Sequence, residues 1–103
     1  MNYRNPQQVT SPRDFVEVVE IIHDGGEEGA SIARINWEGS PVIGVRWNVA
    51  RREWDDETKQ REERECVGMP SSRGNPVWFV LPEELLNKDS DAWRAIERTL
   101  QSE

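Results

Sequence analysis

Residues 12–23 carry apolar side chains at the spacing of one face of a helix. Four of them lie three or four positions apart along a helix with 3.6 residues per turn: Phe15, Val18, Val19 and Ile22. A serine and a proline precede this segment, as at a helix start, and two glycines follow it, as at a helix end. The β-branched residues would also fit a strand, but apolar and polar positions do not alternate. The pattern therefore predicts a helix.

Residues 30–49 show the pattern of two strands joined by a turn at residues 38–40. A three-residue turn would pair Trp37 with Pro41 and collect the apolar residues on one face, which favours it over a two-residue turn at residues 39–40. Gly39 is then expected at a positive φ. In this register the opposite, outward face carries Ile32, Arg34, Asn36, Val42, Gly44, Arg46 and Asn48.

A third strand and a final helix are predicted near the end of the chain. Residues 77–81 are all apolar, and strand geometry separates Val77, Phe79 and Leu81 on one face from Trp78 and Val80 on the other. Residues 91–100 follow a serine or aspartate cap and have an apolar stripe at helical spacing: Trp93, Ile96 and Leu100. The three strands and two helices would form one layer of helices on a sheet.

The segment between the second and third strands is dense in charge. Residues 50–65 hold five basic and seven acidic side chains, and Trp54 is their only large apolar residue. A loop rich in glycine, proline and serine follows. Residues 50–76 are therefore expected to form a mobile excursion, helical or disordered in its first part, and residues 1–9 a flexible lead-in.

The predicted fold class is α+β. We expect a small three-stranded antiparallel sheet with an N-terminal and a C-terminal helix packed on one face and a long charged excursion between strands 2 and 3. Residues 1–103 are expected to form a single domain, because the length suits one.

Charge and composition narrow the classes of function. The chain has 20 acidic and 13 basic residues and a formal net charge of −7, which argues against a non-specific binder of the nucleic-acid backbone. No apolar run approaches the ~20 residues of a membrane span, and no secretory signal is visible. We therefore expect a cytoplasmic protein that does not act at a membrane.

Catalytic chemistry finds little support in the sequence. The chain has one histidine and one cysteine, His23 and Cys66, and neither a nucleophile–base pair nor a zinc ligand set follows from their spacing. We expect no enzymatic activity, no metal and no cofactor.

The predicted outward face holds the most informative set of polar and aromatic residues. An arginine guanidinium can donate paired hydrogen bonds to a partner, and a tryptophan ring offers a large apolar contact. The candidate residues on the three strands are Arg34, Asn36, Arg46, Asn48 and Trp78. Trp54 and Arg73 of the excursion complete the candidate set. Alternatively, the two strand arginines pair with carboxylates of residues 53–65, and Trp54 covers Trp78.

Three functions are compatible with these residues. The preferred hypothesis is a small non-catalytic interaction module that binds an unidentified protein partner through the open sheet face and residues 50–76. The alternatives are binding of single-stranded nucleic acid on the sheet face and an acidic mimic of nucleic acid. An open face and free strand edges also predict a homodimer, formed by edge pairing or by burial of the face.

Overall fold

The protein, whose computed structural model describes residues 1–101, is a small α+β fold built on a four-stranded antiparallel sheet. The strands are β1 (Val16–Asp24), β2 (Ala30–Trp37), β3 (Ser40–Trp47), β4 (Ser71–Ser72), β5 (Asn75–Pro76) and β6 (Phe79–Val80). The sheet has the order β1-β2-β3-β6, and β4 and β5 form a separate small hairpin. The helices are α1 (Glu57–Gln60), α2 (Asp91–Gln101) and three 3₁₀ helices, Pro6–Gln8, Arg51–Asp55 and Glu83–Leu86.

The predicted N-terminal helix is instead strand β1, so the sheet has four strands rather than three. Val18 pairs with Ile35 and Ile21 with Ala33, but the register shifts by one residue after Val18 and again after Ile21. Each bulge inserts one extra residue, Val19 and then Ile22, and interrupts the alternation of a regular strand. The two insertions gave the apolar residues the spacing of a helix face.

The β2–β3 hairpin has a two-residue turn, and the predicted three-residue turn is wrong. Glu38 and Gly39 occupy the turn with φ values of 51° and 85°, and Trp37 pairs with Ser40. Two successive positive φ angles are typical of a type I′ turn, whose twist matches that of the flanking strands. The prediction of a positive φ at Gly39 is confirmed.

This register assigns the side chains of β3 to faces opposite to those predicted. Ser31 lies opposite Arg46, Ala33 opposite Gly44 and Ile35 opposite Val42. These six residues lie on one face, here called the inner face, because directly paired residues of antiparallel strands share a face. The other, outer face carries Ile32, Arg34, Asn36, Ile43, Val45 and Trp47 from β2 and β3. Arg34 and Arg46 therefore lie on opposite sides of the sheet.

The hydrophobic core lies on the inner face, and Trp78 is its largest member. Its buried residues are Val9, Val16, Val18, Ala33, Ile35 and Trp78. Gly44 leaves the space that Trp78 fills, since a Cβ there would lie 3.1 Å from the indole ring. The indole N–H donates a hydrogen bond of 2.7 Å to the carbonyl of Val9. The N-terminal segment thus covers one side of the core. The flexibility predicted for residues 1–9 stays a prediction.

The prediction that the C-terminal helix, α2, packs on the sheet is wrong. Within the described chain it packs mainly against the 3₁₀ helix Glu83–Leu86, and none of its residues is buried. Trp93 is half-buried, while Ile96 and Leu100 are exposed. The inner face needs no helix because the N-terminal segment and Trp78 already cover it.

Gly39→Val should lower the free energy of unfolding by about 1–2 kcal/mol, because a β-branched residue is strained at positive φ. Glu38→Asn should raise it, since asparagine tolerates that conformation better than glutamate does. Urea denaturation of both variants measures the two effects. Equal midpoints for the parent protein and Gly39→Val would contradict the type I′ turn.

Candidate functional site

Arg46, a predicted binding residue, is a buried structural residue. Only 4% of its surface is exposed, and its guanidinium donates hydrogen bonds to the carbonyls of Val67, Pro70 and Val77. Desolvation lowers the pKa of Arg46 to about 10, so it stays charged at neutral pH. Its side chain ties β3 to the loop that leads into β6, and it has no free donor face for a partner.

Glu53 anchors the charge-dense segment from within. The side chain is 1% exposed; one carboxylate oxygen accepts from the N–H groups of Ala50 (2.9 Å) and Gly68 (2.7 Å). The other accepts from the Val67 N–H (2.8 Å) and the Lys59 ammonium (2.6 Å). Burial alone would raise the pKa of Glu53, but these hydrogen bonds hold it below its ordinary value. Glu53 is therefore a polar anchor for this segment, in which Trp54 is the only large apolar side chain.

Asn48 is also buried, and it holds the turn between β1 and β2. Its amide donates to Asp24 (3.0 Å) and to the carbonyl of Gly26 (2.8 Å), and its oxygen accepts from the Ser31 hydroxyl (2.7 Å). Asp24 also accepts from the hydroxyl of Tyr3. A residue whose hydrogen-bonding groups are all used inside the fold positions the loop rather than a partner.

The predicted set of binding residues is therefore divided between the interior and the surface. Arg46, Asn48 and Trp78 are buried, so the prediction that they share an exposed face with Arg34 and Asn36 is wrong. The physical reason is the hairpin register, which turns residues 42, 44 and 46 inward. Trp78 lies on the same inner side because Val80, two residues on, pairs with Gly44. Trp54 is half-buried, and Arg73 is exposed in the turn between β4 and β5.

Arg34 and Asn36 do lie on the outer face, at its polar edge. Arg34 lies 3.5 Å from the carboxylate of Glu20, and the Asn36 amide donates to Glu17 at 3.4 Å. Both contacts are between neighbouring strands of the same sheet. Because the ion pair and the hydrogen bond are exposed, they contribute little stability. The two carboxylates and one guanidinium leave this edge with one net negative charge.

Apolar side chains dominate the rest of the outer face. Phe79 and Leu81 join it from the β6 segment, since Phe79 pairs with Val45 and Leu81 bonds to Ile43. Trp47 is 51% exposed and Phe79 is 55% exposed. Met69 and Leu86, also exposed, border the two ends. The resulting surface is here called the apolar outer face: Ile32, Ile43, Val45, Trp47, Met69, Phe79, Leu81 and Leu86.

Two shallow grooves run across this surface. One, of about 430 Å³, lies at the turn end of the hairpin between Val19, Ile43 and Leu86. The other, of about 380 Å³, lies between Trp47, Met69 and Phe79. Concave apolar surface of this kind can receive apolar side chains of another molecule.

Sequence reasoning missed Trp47 and Phe79, the two exposed aromatic residues of this surface. The sequence predicts both on the inner side. For Trp47 the reason is the three-residue turn, which inverts β3; for Phe79 it is the expectation that its face packs against the helices. The signal that could have found Trp47 was the Glu38-Gly39 dipeptide. A two-residue turn centred on it turns residues 43, 45 and 47 outward.

Residues 1–101 contain neither a cluster of metal-ligand side chains nor an accessible thiol. No three histidine, cysteine or carboxylate groups in that range could hold a metal ion together. Cys66 is fully buried, and burial raises the pKa of its thiol, which disfavours the reactive thiolate. In the same range no helix is long and apolar enough to cross a membrane.

Comparison with protein-family models finds no match, and comparisons with curated proteins and with solved structures find no significant one. The chemistry of the surface itself therefore carries the functional argument.

Glu53→Gln should lower the free energy of unfolding at pH 7 by about 3 kcal/mol or more, because it leaves the buried Lys59 without its counter-charge. The folded pKa of Glu53 is below its unfolded value, so its contribution is complete above the ordinary glutamate pKa near 4.3 and is lost as pH falls. The difference between the two proteins should therefore shrink below about pH 4.

Glu57→Gln is the matched control, because Glu57 pairs with Arg61 at 3.1 Å on the exposed surface of α1. Its effect should stay below about 0.5 kcal/mol. Chemical denaturation of the parent protein and both variants at several pH values provides the measurement. Equal effects of the two substitutions would show that the buried carboxylate is not an anchor.

Proposed function

We propose that this protein is a non-catalytic interaction module that binds a protein partner through its apolar outer face. One observation carries the proposal: large apolar side chains, among them Trp47 and Phe79, are exposed side by side on a sheet whose other face holds the core. Monomeric soluble proteins rarely leave a contiguous apolar patch of more than a few hundred Å² in water. Residues of this kind, tryptophan above all, supply most of the binding energy in protein interfaces.

The charge-dense segment extends this surface. Trp54 lines a small groove together with Trp47 and Met69, next to the apolar outer face. Met69 itself pairs with Trp47 through backbone hydrogen bonds of 2.7 and 3.0 Å. We therefore include Trp54 and Met69, both within residues 50–76, in the proposed binding surface.

The distribution of charge favours a protein partner over nucleic acid. A nucleic-acid site would require cations beside an exposed ring, but Trp78 and Arg46 are buried and Arg34 lies against Glu20. The acidic-mimic alternative needs free carboxylates, yet Glu57 and Glu63 lie within 4 Å of Arg61. An apolar surface without exposed cations beside its rings suits an apolar protein surface better than a nucleic acid.

Photocrosslinking from the apolar outer face tests the proposal. With p-benzoylphenylalanine in place of Phe79, irradiation of producing cells should give protein adducts. Adding Trp47→Asp to the same chain should abolish them, because it places a charge in the centre of the interface. In a lysate, nuclease treatment or raised salt applied before irradiation should leave the adduct yield unchanged, since an apolar interface depends little on screening.

The same crosslinker at Glu63 is the matched control, because Glu63 is exposed near the end of α1 and away from the sheet. It should give no comparable adduct. Equal adduct yields from positions 63 and 79, or adducts from position 79 that persist with Trp47→Asp, would contradict a binding site on this face.

A further inference from the structure

The chain exposes more surface than a monomer of its size. A folded monomer of this mass exposes about 6,000 Å², whereas this chain exposes 7273 Å². The excess is on the order of 1,000 Å², compared with about 800 Å² per partner in a standard protein interface. The radius of gyration is 15.2 Å, while about 13 Å is usual for this length. The excess area is therefore large enough to supply one subunit's share of a stable dimer.

Helix α2 is the second element with exposed apolar side chains. Ile96 and Leu100 are exposed on one side of it, while Arg94 and Arg98 lie toward the other. From Trp93 to Leu100 the apolar stripe of α2 spans about 10 Å, and the outer face from Ile43 to Trp47 spans about 13 Å along β3. The apolar stripe of α2 therefore fits within the length of this part of the apolar outer face.

A hydrogen bond and packing hold the start of α2 against the preceding 3₁₀ helix. The Ser90 hydroxyl accepts from the N–H of Trp93 at 3.1 Å in the first turn of α2 and donates to the carbonyl of Glu84, so it joins α2 to the 3₁₀ helix Glu83–Leu86, against which α2 packs. Turning α2 back onto its own outer face would break the bond to Glu84. Packing against a second chain needs no such change.

The free edge of β1 is a poor site for pairing between copies. The Gln7 side chain already donates to the carbonyl of Val18 at 3.1 Å, and two bulges interrupt the strand. Bulges and side chains that occupy edge groups are devices that prevent pairing with another strand. Of the two modes of dimerisation expected from the sequence, burial of the face is the better supported.

We propose that α2 of one chain packs on the apolar outer face of a second copy, and that the second copy's α2 packs on the first in return. The inference rests on the proposed function, because it names the partner that this same surface binds. A two-fold axis makes the two contacts identical, so each chain covers both of its exposed apolar elements at once. The resulting assembly is a closed homodimer.

Light scattering with size exclusion at micromolar concentration tests the inference on the full chain. The parent protein should have twice the 12.0 kDa mass of one chain. Phe79→Glu, on the face, and Ile96→Glu, on the helix, should each raise the dimer dissociation constant at least tenfold. Both side chains are more than a third exposed in the single chain, so circular dichroism should show both variants folded. If either is unfolded, Trp47→Glu or Leu100→Glu replaces it.

The controls carry the same change of charge at exposed positions away from the proposed contact. Arg73→Gln lies in the turn between β4 and β5, and Arg94→Gln lies on the polar side of α2. Both should remain dimeric. A monomeric parent protein, or a dimer that Ile96→Glu leaves intact, would overturn the inference.

Mixing the two defective variants tests the exchange of helices directly. Phe79→Glu retains an intact helix and Ile96→Glu an intact face, so the mixture should form a heterodimer through one intact contact. If two faces packed together instead, Ile96→Glu would dimerise on its own. A mixture of the two monomeric variants that stays monomeric would likewise overturn the inference.

The outcomes also separate this inference from the proposed function. A monomeric parent protein that still gives the Phe79-position adduct would overturn the second copy as partner and leave the binding surface standing. A monomeric parent protein that gives no adduct would overturn both.

Discussion

The twist of a two-residue turn decides which side of the sheet faces the core. Because Glu38 and Gly39 both take positive φ, Trp37 pairs with Ser40, and every residue of β3 is assigned to a face by that one pairing. Gly44 then lies under Trp78 and leaves room for its ring. Shifting the register by one residue would place Arg46 on the outer face and a bulky side chain where Trp78 packs. The core, the buried arginine and the exposed surface all depend on this turn.

The inner face is stabilised by polar groups as well as by apolar packing. Arg46 and Glu53 are almost completely buried, and every one of their polar atoms that is buried has a hydrogen-bond partner within the described residues. Such groups are costly to desolvate but costlier to leave unpaired, so they fix one arrangement of the loops around Val67 and Gly68. Specific polar contacts thus fix residues 50–77, the connection from β3 to β6, to the rest of the fold. They compensate for the small number of apolar residues in this connection.

The sequence predicted the fold class, the hairpin region and the final helix, because local patterns encode those features. It did not predict β1, since two bulges at Val19 and Ile22 imitate helical spacing, and bulges depend on neighbouring strands. Of the candidate site, Arg34 and Asn36 were placed on the correct face because the parity of β2 was right. Arg46 was misplaced by a single-residue error in the hairpin register, and Trp78 because the face of Val77, Phe79 and Leu81 was expected to pack against the helices. Partners such as Glu53 and Val67 lie far apart in sequence, and no local pattern reveals their contact.

The two faces of the sheet explain why the exposed surface is apolar. A three- or four-stranded sheet with one covered face can leave the other to water if that face is polar, as the edge near Arg34 and Glu20 is. From Ile43 to Trp47 the face instead carries β-branched and aromatic residues, the composition of a covered sheet. Leu86 and α2 follow directly after the strand that ends this face. The chain therefore presents, in succession, an apolar sheet face and an apolar helix stripe, and the hydrogen bond from Ser90 to Glu84 keeps the two apart. Because the helix stripe does not reach the sheet face of its own chain, the two surfaces meet most simply when they belong to two different chains.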